Sequence, residues 1–114
     1  MTAQTATAPT YIHPTARIGR KCQIGRGCYI GPHVEIEDGA CIHDGTRVSA
    51  YATIGRFAYI GPDCEIGRAC VVGVLAIVGE GSILGAHSAV ADAAALPRQA
   101  RLGESETFAG RSRS

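Results

Sequence analysis

An apolar residue returns at every sixth position of the chain. Ile12, Ile18, Ile24 and Ile30 begin a series that reaches Leu96, Leu102 and Phe108 without one insertion. On an α-helix successive sixth residues fall about 240° apart, so no single face collects them, and a helix is excluded. In an extended chain six is an even number, and every one of these side chains points to the same side of its strand. Four residues after each comes a small or β-branched residue, among them Ala16, Cys22, Thr46, Cys64 and Ser82, which faces inward as well. Between the apolar positions lie turn-forming groups such as Glu37-Asp38-Gly39 and Gly61-Pro62-Asp63, so each hexad reads as a short strand followed by a corner. Gly directly follows the apolar residue in most hexads, which suits a crowded place beside a corner.

A second period sets how many hexads close a turn. Residues that adopt a left-handed backbone at low cost stand three after the apolar position at Gly27, Gly45, Asp63 and Gly81, eighteen residues apart. The two other corner columns carry Thr15, His33, Tyr51, Ala69 and His87, or Lys21, Gly39, Phe57, Leu75 and Ala93, with no such restriction. The spacing therefore predicts three hexads per coil, with left-handed corners in one column alone. The expected architecture is all-β: a single-stranded parallel β-helix of five to six coils, triangular in section, with coils about 4.8 Å apart. Residues 11–108 are assigned to this helix, 1–10 to a flexible N-terminal tail and 109–114 to a disordered C-terminal end. Fraying is expected from Ala91 onward, where Ala93-Ala94-Ala95 and Pro97 weaken the pattern and Glu106 stands at a position that is otherwise small and inward.

The repeats resemble the hexapeptide-repeat, left-handed β-helix proteins, most of which are acyl- or acetyltransferases. Ile12-His13-Pro14-Thr15-Ala16 and Gly31-Pro32-His33-Val34-Glu35-Ile36 are similar to opening coils of the UDP-N-acetylglucosamine acyltransferases of lipid A synthesis, and Leu84-Gly85-Ala86-His87 to a later coil. The resemblance implies the left hand of the coil, a homotrimer, and transfer of an acyl group from CoA or acyl carrier protein to a sugar or small amine or alcohol. It identifies the fold more sharply than the substrate, because repeats of one architecture converge on the same phrases. An alternative is a non-catalytic β-helix scaffold or assembly subunit, favoured by the unbroken hexad count, which leaves no room for the long loop that walls the family's active sites. A third is a protein like the γ-carbonic anhydrases, which assemble three histidines around zinc between subunits.

Composition narrows the picture. Apolar residues make up 46 % of the chain with two Phe and no Trp, which fits a thin core of stacked Ile, Val and Ala. A net charge of +1 with interspersed signs gives no footprint for nucleic acid or an anionic surface. No stretch approaches a membrane span, and the first ten residues lack the basic start and apolar run of a signal peptide. Of the five cysteines, Cys22, Cys28, Cys64 and Cys70 occupy the small inward position and are expected to be reduced core thiols, which points to the cytoplasm. No tight C-x-x-C pair occurs, and no metal site is assigned.

With the inward positions occupied by the core, chemistry must sit outside. The outward residues Phe57, Tyr59, Val71, Val74, Leu75 and Ile77 are apolar and neighbouring, and are expected to form a subunit interface. His43, beside Asp44 and on the face that carries Cys41, Tyr59 and Ile77, is the candidate catalytic residue. The resemblance gives it the role of a general base that takes a proton from the acceptor while the thioester is attacked directly. Imidazole as a class suits that work near neutral pH. His33 and His87, three coils apart in one corner column, are the alternatives, and His13 is expected to shape the start of the solenoid. Arg17 with Glu35 and Arg47 with Glu65 are expected to lie opposite one another on neighbouring strands.

Overall fold

The structure, a computed structural model, describes residues 10–109. The expected tail and end segments therefore lie outside the described residues, apart from Thr10 and Ala109. Seventeen two-residue strands run from β1 (Tyr11–Ile12) to β17 (Thr107–Phe108) with no helix between them. Each pairs in parallel with the strand eighteen residues on, so that Tyr11 faces Tyr29, Arg17 faces Glu35, Arg47 faces Glu65 and Tyr59 faces Ile77. Every third strand joins the same sheet, which gives two sheets of six strands and one of five, all parallel. Three hexads close one coil, and the described chain is a β-solenoid of between five and six coils. The first sheet presents Tyr11, Tyr29, Arg47, Glu65, Ile83 and Arg101 outward, the second begins with Arg17 and Glu35, and the third carries Gln23, Cys41, Tyr59, Ile77 and Ala95.

The sixth-residue series forms the core. From Ile30 to Val90 none of its members is more than 2 % exposed, whereas Ile12 in the first described strand is 40 % exposed. Each fully buried Ile or Val contributes about 1.5–3 kcal/mol by leaving water. The small inward column has a second task, because the corner turns one carbonyl of each hexad inward. Cys28 Sγ–H donates to His43 O at 3.0 Å, Thr46 Oγ1–H to Gly61 O at 2.7 Å, Cys64 Sγ–H to Gly79 O at 3.0 Å and Ser82 Oγ–H to Pro97 O at 2.9 Å. Each donor reaches the next coil. Cys, Ser and Thr thus interchange with Ala at this position because a small donor fits the space and serves a buried acceptor. Burial pushes the Cys28, Cys64 and Cys70 thiols above their ordinary value, with nearby backbone hydrogen bonds pulling the other way. All five cysteines are free.

The eighteen-residue register is as expected, but the corners correct the reasoning that led to it. Left-handed backbone is not confined to the column of Gly27, Gly45, Asp63 and Gly81. Every corner from Lys21 to Ser105 has φ between 56° and 75°, including His33, Tyr51, Phe57, Leu75 and His87. A triangular coil needs the same bend three times, and the backbone meets that need at about 1–2 kcal/mol per non-glycine residue. A sequence signal for this was present: none of these corner positions holds Val, Ile or Thr. Thr15, the β-branched exception, stands in the first coil and does not adopt positive φ.

Crowding beside the corners is also explained. Asp38, Asp44 and Asp92 each turn Oδ1 onto the N–H of a residue one coil earlier, Arg20, Arg26 and Val74 respectively, all at 2.9 Å. A Cβ at Gly19, Gly25 or Gly73 would lie 2.4, 2.2 or 2.3 Å from those oxygens, so glycine precedes each capped N–H.

The expected fraying after Ala91 does not occur. The coil continues through β15 (Ala95–Leu96) and β16 (Arg101–Leu102) to β17, and Leu96 is buried. In earlier coils the residue after the apolar position donates its N–H to the coil that follows, as Gly85 does to Leu102 O at 2.8 Å. In the last described hexads Pro97 has no N–H to donate, and the Gly103 N–H meets Glu106 Oε1 at 2.7 Å. Glu106 departs from the small inward pattern and turns its carboxylate onto the Gly103 N–H.

Candidate active site on the third sheet

Strand β6 (Cys41–Ile42) delivers His43 to the edge of the third sheet. Its N–H donates to Ile60 O at 3.0 Å, and its carbonyl accepts the Cys28 thiol, so the backbone is fixed from both neighbouring coils. The half-buried imidazole packs edge-on against the ring of Tyr59, with centroids 4.8 Å apart and planes at 61°. Its Nε2 lies 3.9 Å from Cys41 Sγ, which is itself 3.9 Å from Gln23 Oε1. Asp44, the sequence neighbour, accepts the Arg26 N–H and so serves the corner. The partners of His43 are thus Cys41 and Tyr59. The eighteen-residue register had placed both on its face, but only the side-chain geometry shows the contact.

The alternative histidines lie elsewhere. His33 and His87 occupy the corner between the first and second sheets, both exposed and both at positive φ. His33 stacks on Tyr51 with centroids 5.0 Å apart, and Arg68 lies over the other ring at 5.8 Å, while Tyr51 and Ala69 separate the two histidines in the column. His13 accepts the Thr15 N–H on Nδ1 at 3.1 Å, closing the first corner as its expected shaping role requires. Among the described residues no three His, Cys, Asp or Glu side chains converge as a metal-holding group.

The expected apolar strip is on the surface. Phe57 and Leu75 are 61 % and 57 % exposed in one corner column, with Val71 on the second sheet before them and Tyr59 and Ile77 paired on the third after them. Val74 is half-buried beside Leu75. The Phe57 ring lies down over Gly39, where an added Cβ would come within 2.5 Å of the ring. Tyr59 belongs both to the strip and to the contact with His43. A shallow depression of about 490 Å³ lies instead on the second sheet, against Arg17, Gly19, Glu35 and Glu37. It is lined by no histidine and no cysteine. No helix among the described residues is long and apolar enough to cross a membrane.

Register, corners and core together define a hexapeptide-repeat β-solenoid, and solved structures share it. A variant of the GDP-perosamine N-acetyltransferase from Caulobacter crescentus, solved with CoA and GDP-perosamine, aligns with a TM-score of 0.65 at 22 % identity over 89 % of this chain and 53 % of that one. The UDP-N-acetylglucosamine acyltransferase LpxA from Bacteroides fragilis aligns at 0.62 and 21 % identity, over 96 % of this chain and 53 % of that one. The acetyltransferase domain of PglB from Neisseria gonorrhoeae aligns at 0.57 and 18 % identity, over 89 % and 54 %. The chain spans about half the length of these structures, and at such identities the fold is what is shared. No curated protein matches the sequence. The GMPPB C-terminal domain family matches residues 6–102, and the chain belongs to that family.

Proposed function

We propose that the chain is an acyltransferase subunit that moves an acyl group from CoA or acyl carrier protein to an amine or alcohol on a sugar, with His43 as general base. The observation that carries this reading is the placement of His43: of the four histidines it alone stands on the third sheet, in contact with Tyr59 at the margin of the exposed apolar strip. Phe57 and Leu75 are costly where they stand, since both hold left-handed backbone and both leave apolar surface in water. A second copy of the chain covering the strip would offset both costs. The solenoid becomes a homotrimer in this reading, with His43 at the wall of the cleft between subunits.

In the reaction the acceptor N–H or O–H gives its proton to the imidazole as its nitrogen or oxygen bonds to the thioester carbonyl carbon, and the thiolate of the donor leaves. The CoA and GDP-perosamine bound by the Caulobacter enzyme support a nucleotide sugar as acceptor. Free thiols inside the core fit a reducing compartment such as the cytoplasm.

A second reading is an assembly module without catalysis, favoured by the match to a family of C-terminal domains. Calorimetric titration separates the two. Acetyl-CoA or acylated acyl carrier protein binds the acyltransferase, and failure of both to bind leaves the assembly module.

A further inference from the structure

The depression on the second sheet has no task in the acyl-transfer reading. Its volume of about 490 Å³ lies against Arg17, Gly19, Glu35 and Glu37, and a smaller hollow of about 280 Å³, lined by Glu37, Asp38 and Arg56, shares Glu37 with it. Arg17, Glu35 and Glu37 are all exposed, and the register sets Arg17 opposite Glu35. One guanidinium beside two carboxylates selects a ligand that carries both signs. A polyanion such as CoA meets repulsion from Glu35 and Glu37. The amine of an amino sugar instead pairs with a carboxylate, and its phosphate with the Arg17 guanidinium.

Symmetry relates this depression to His43. The apolar strip straddles the corner column of Gly39, Phe57 and Leu75, with Val71 on the second sheet and Tyr59 and Ile77 on the third. Cyclic packing on that corner sets the second sheet of one copy against the third sheet of the next. Glu35 stands four residues before Gly39 and His43 four residues after it, so the two lie equally far from the corner on sheets that face each other. They are also level. Eight residues of an eighteen-residue coil separate them, which is about 2 Å of rise along the solenoid. Phe57 and Leu75 lie one and two coils beyond Gly39, so the contact they form leaves the depression and His43 outside it. We propose that Arg17, Glu35 and Glu37 of one copy form the acceptor subsite for His43 of the next, and that the subsite takes an amino sugar bearing phosphate. The assignment rests on the trimeric acyl-transfer reading above. The carboxylates hold the amine, Arg17 holds the phosphate, and the acceptor nitrogen is aimed at the imidazole that takes its proton, while the transfer step itself is unchanged.

The test begins with calorimetric titration of the full chain by UDP-glucosamine, by UDP-glucose, which carries a hydroxyl in place of the amine, and by acetyl-CoA. UDP-glucosamine is expected to bind about 10-fold more tightly than UDP-glucose, and Glu35→Gln with Glu37→Gln to abolish that preference while acetyl-CoA binds as in the wild type. Arg17→Gln weakens both nucleotide sugars. The assignment across subunits is read by mixing. His43→Ala and the double glutamine variant are each slow alone, but mixed trimers of the two contain sites that join an intact His43 to an intact pair of carboxylates. With random assembly these are about one quarter of all sites, and transfer from acetyl-CoA to UDP-glucosamine recovers accordingly. Mixed trimers no faster than the parents overturn the assignment across subunits. A chain that binds acetyl-CoA but holds UDP-glucosamine no better in the wild type than in the double variant overturns the subsite and leaves acyl transfer standing. Failure to bind acetyl-CoA and acylated acyl carrier protein removes the subsite together with the reading on which it rests.

Discussion

The inside and the outside of the same solenoid use the same residue type for different ends. Cys64 and Cys41 sit on equivalent short hexads of one solenoid, yet the first is fully buried with its thiol spent on Gly79 O, and the second meets His43 at the surface. Inside, polarity is absorbed by the backbone: each small donor answers a carbonyl that the corner turns inward. Outside, nothing in the fold requires a thiol or an imidazole on the third sheet. Residues there are free to serve assembly and chemistry, and that is where the apolar strip and His43 stand.

The largest effect belongs to the outer surface. Leu75→Glu together with Ile77→Glu places two charges in the contact that the proposed trimer would desolvate, and sedimentation is expected to show monomers in place of the assembly. An unchanged assembly in the double variant would move the interface elsewhere.

The next sharpens the contrast between the two thiols. Cys64→Ala removes a buried sulfur and its hydrogen bond and lowers unfolding free energy by about 1–3 kcal/mol. Cys41→Ala, on the outside, stays within about 0.5 kcal/mol of the wild type. Denaturant titration reads both, and equal losses would erase the distinction. At the corner, where φ of Asp63 is 58°, Asp63→Gly is neutral or stabilising. Asp63→Val costs about 1–2 kcal/mol, because a β-branched residue is forced into left-handed backbone.

The smallest effect is a pH dependence. Burial holds the Cys28, Cys64 and Cys70 thiols above the ordinary thiol value of 9.0, so these groups stay protonated in the fold when the unfolded chain has begun to lose its protons. Their contribution is fully present below the unfolded thiol value and is lost as pH rises through the folded one. Stability therefore falls above about pH 9, and Cys64→Ala flattens that fall.

Much of the fold was legible because the hexad is strict: an even period fixes the inward face, and the stacked Ile, Val and Leu fix the core. The corners were read less well. Glycine and aspartate in one column drew attention to left-handed backbone there, while Leu75 and Phe57 hid the same conformation behind side chains that adopt it only at a cost. Glu106 looked like decay because its role as acceptor of the Gly103 N–H lies in side-chain geometry that the hexad spacing does not encode. At the site, His43 and its face could be read from the register. Its contact with Cys41 depends on side-chain rotamers that no spacing encodes, and Asp44, the obvious partner in sequence, is drawn to the Arg26 N–H.

The most direct test of the account compares acetyl-transfer rates of His43→Ala, His33→Ala and His87→Ala with the wild type, using acetyl-CoA and an amino-sugar nucleotide. The account predicts a loss of about 10²-fold or more for His43→Ala alone, with assembly and unfolding midpoint unchanged. A silent His43→Ala beside a large loss in His33→Ala or His87→Ala would contradict it and move the chemistry to the corner between the first and second sheets.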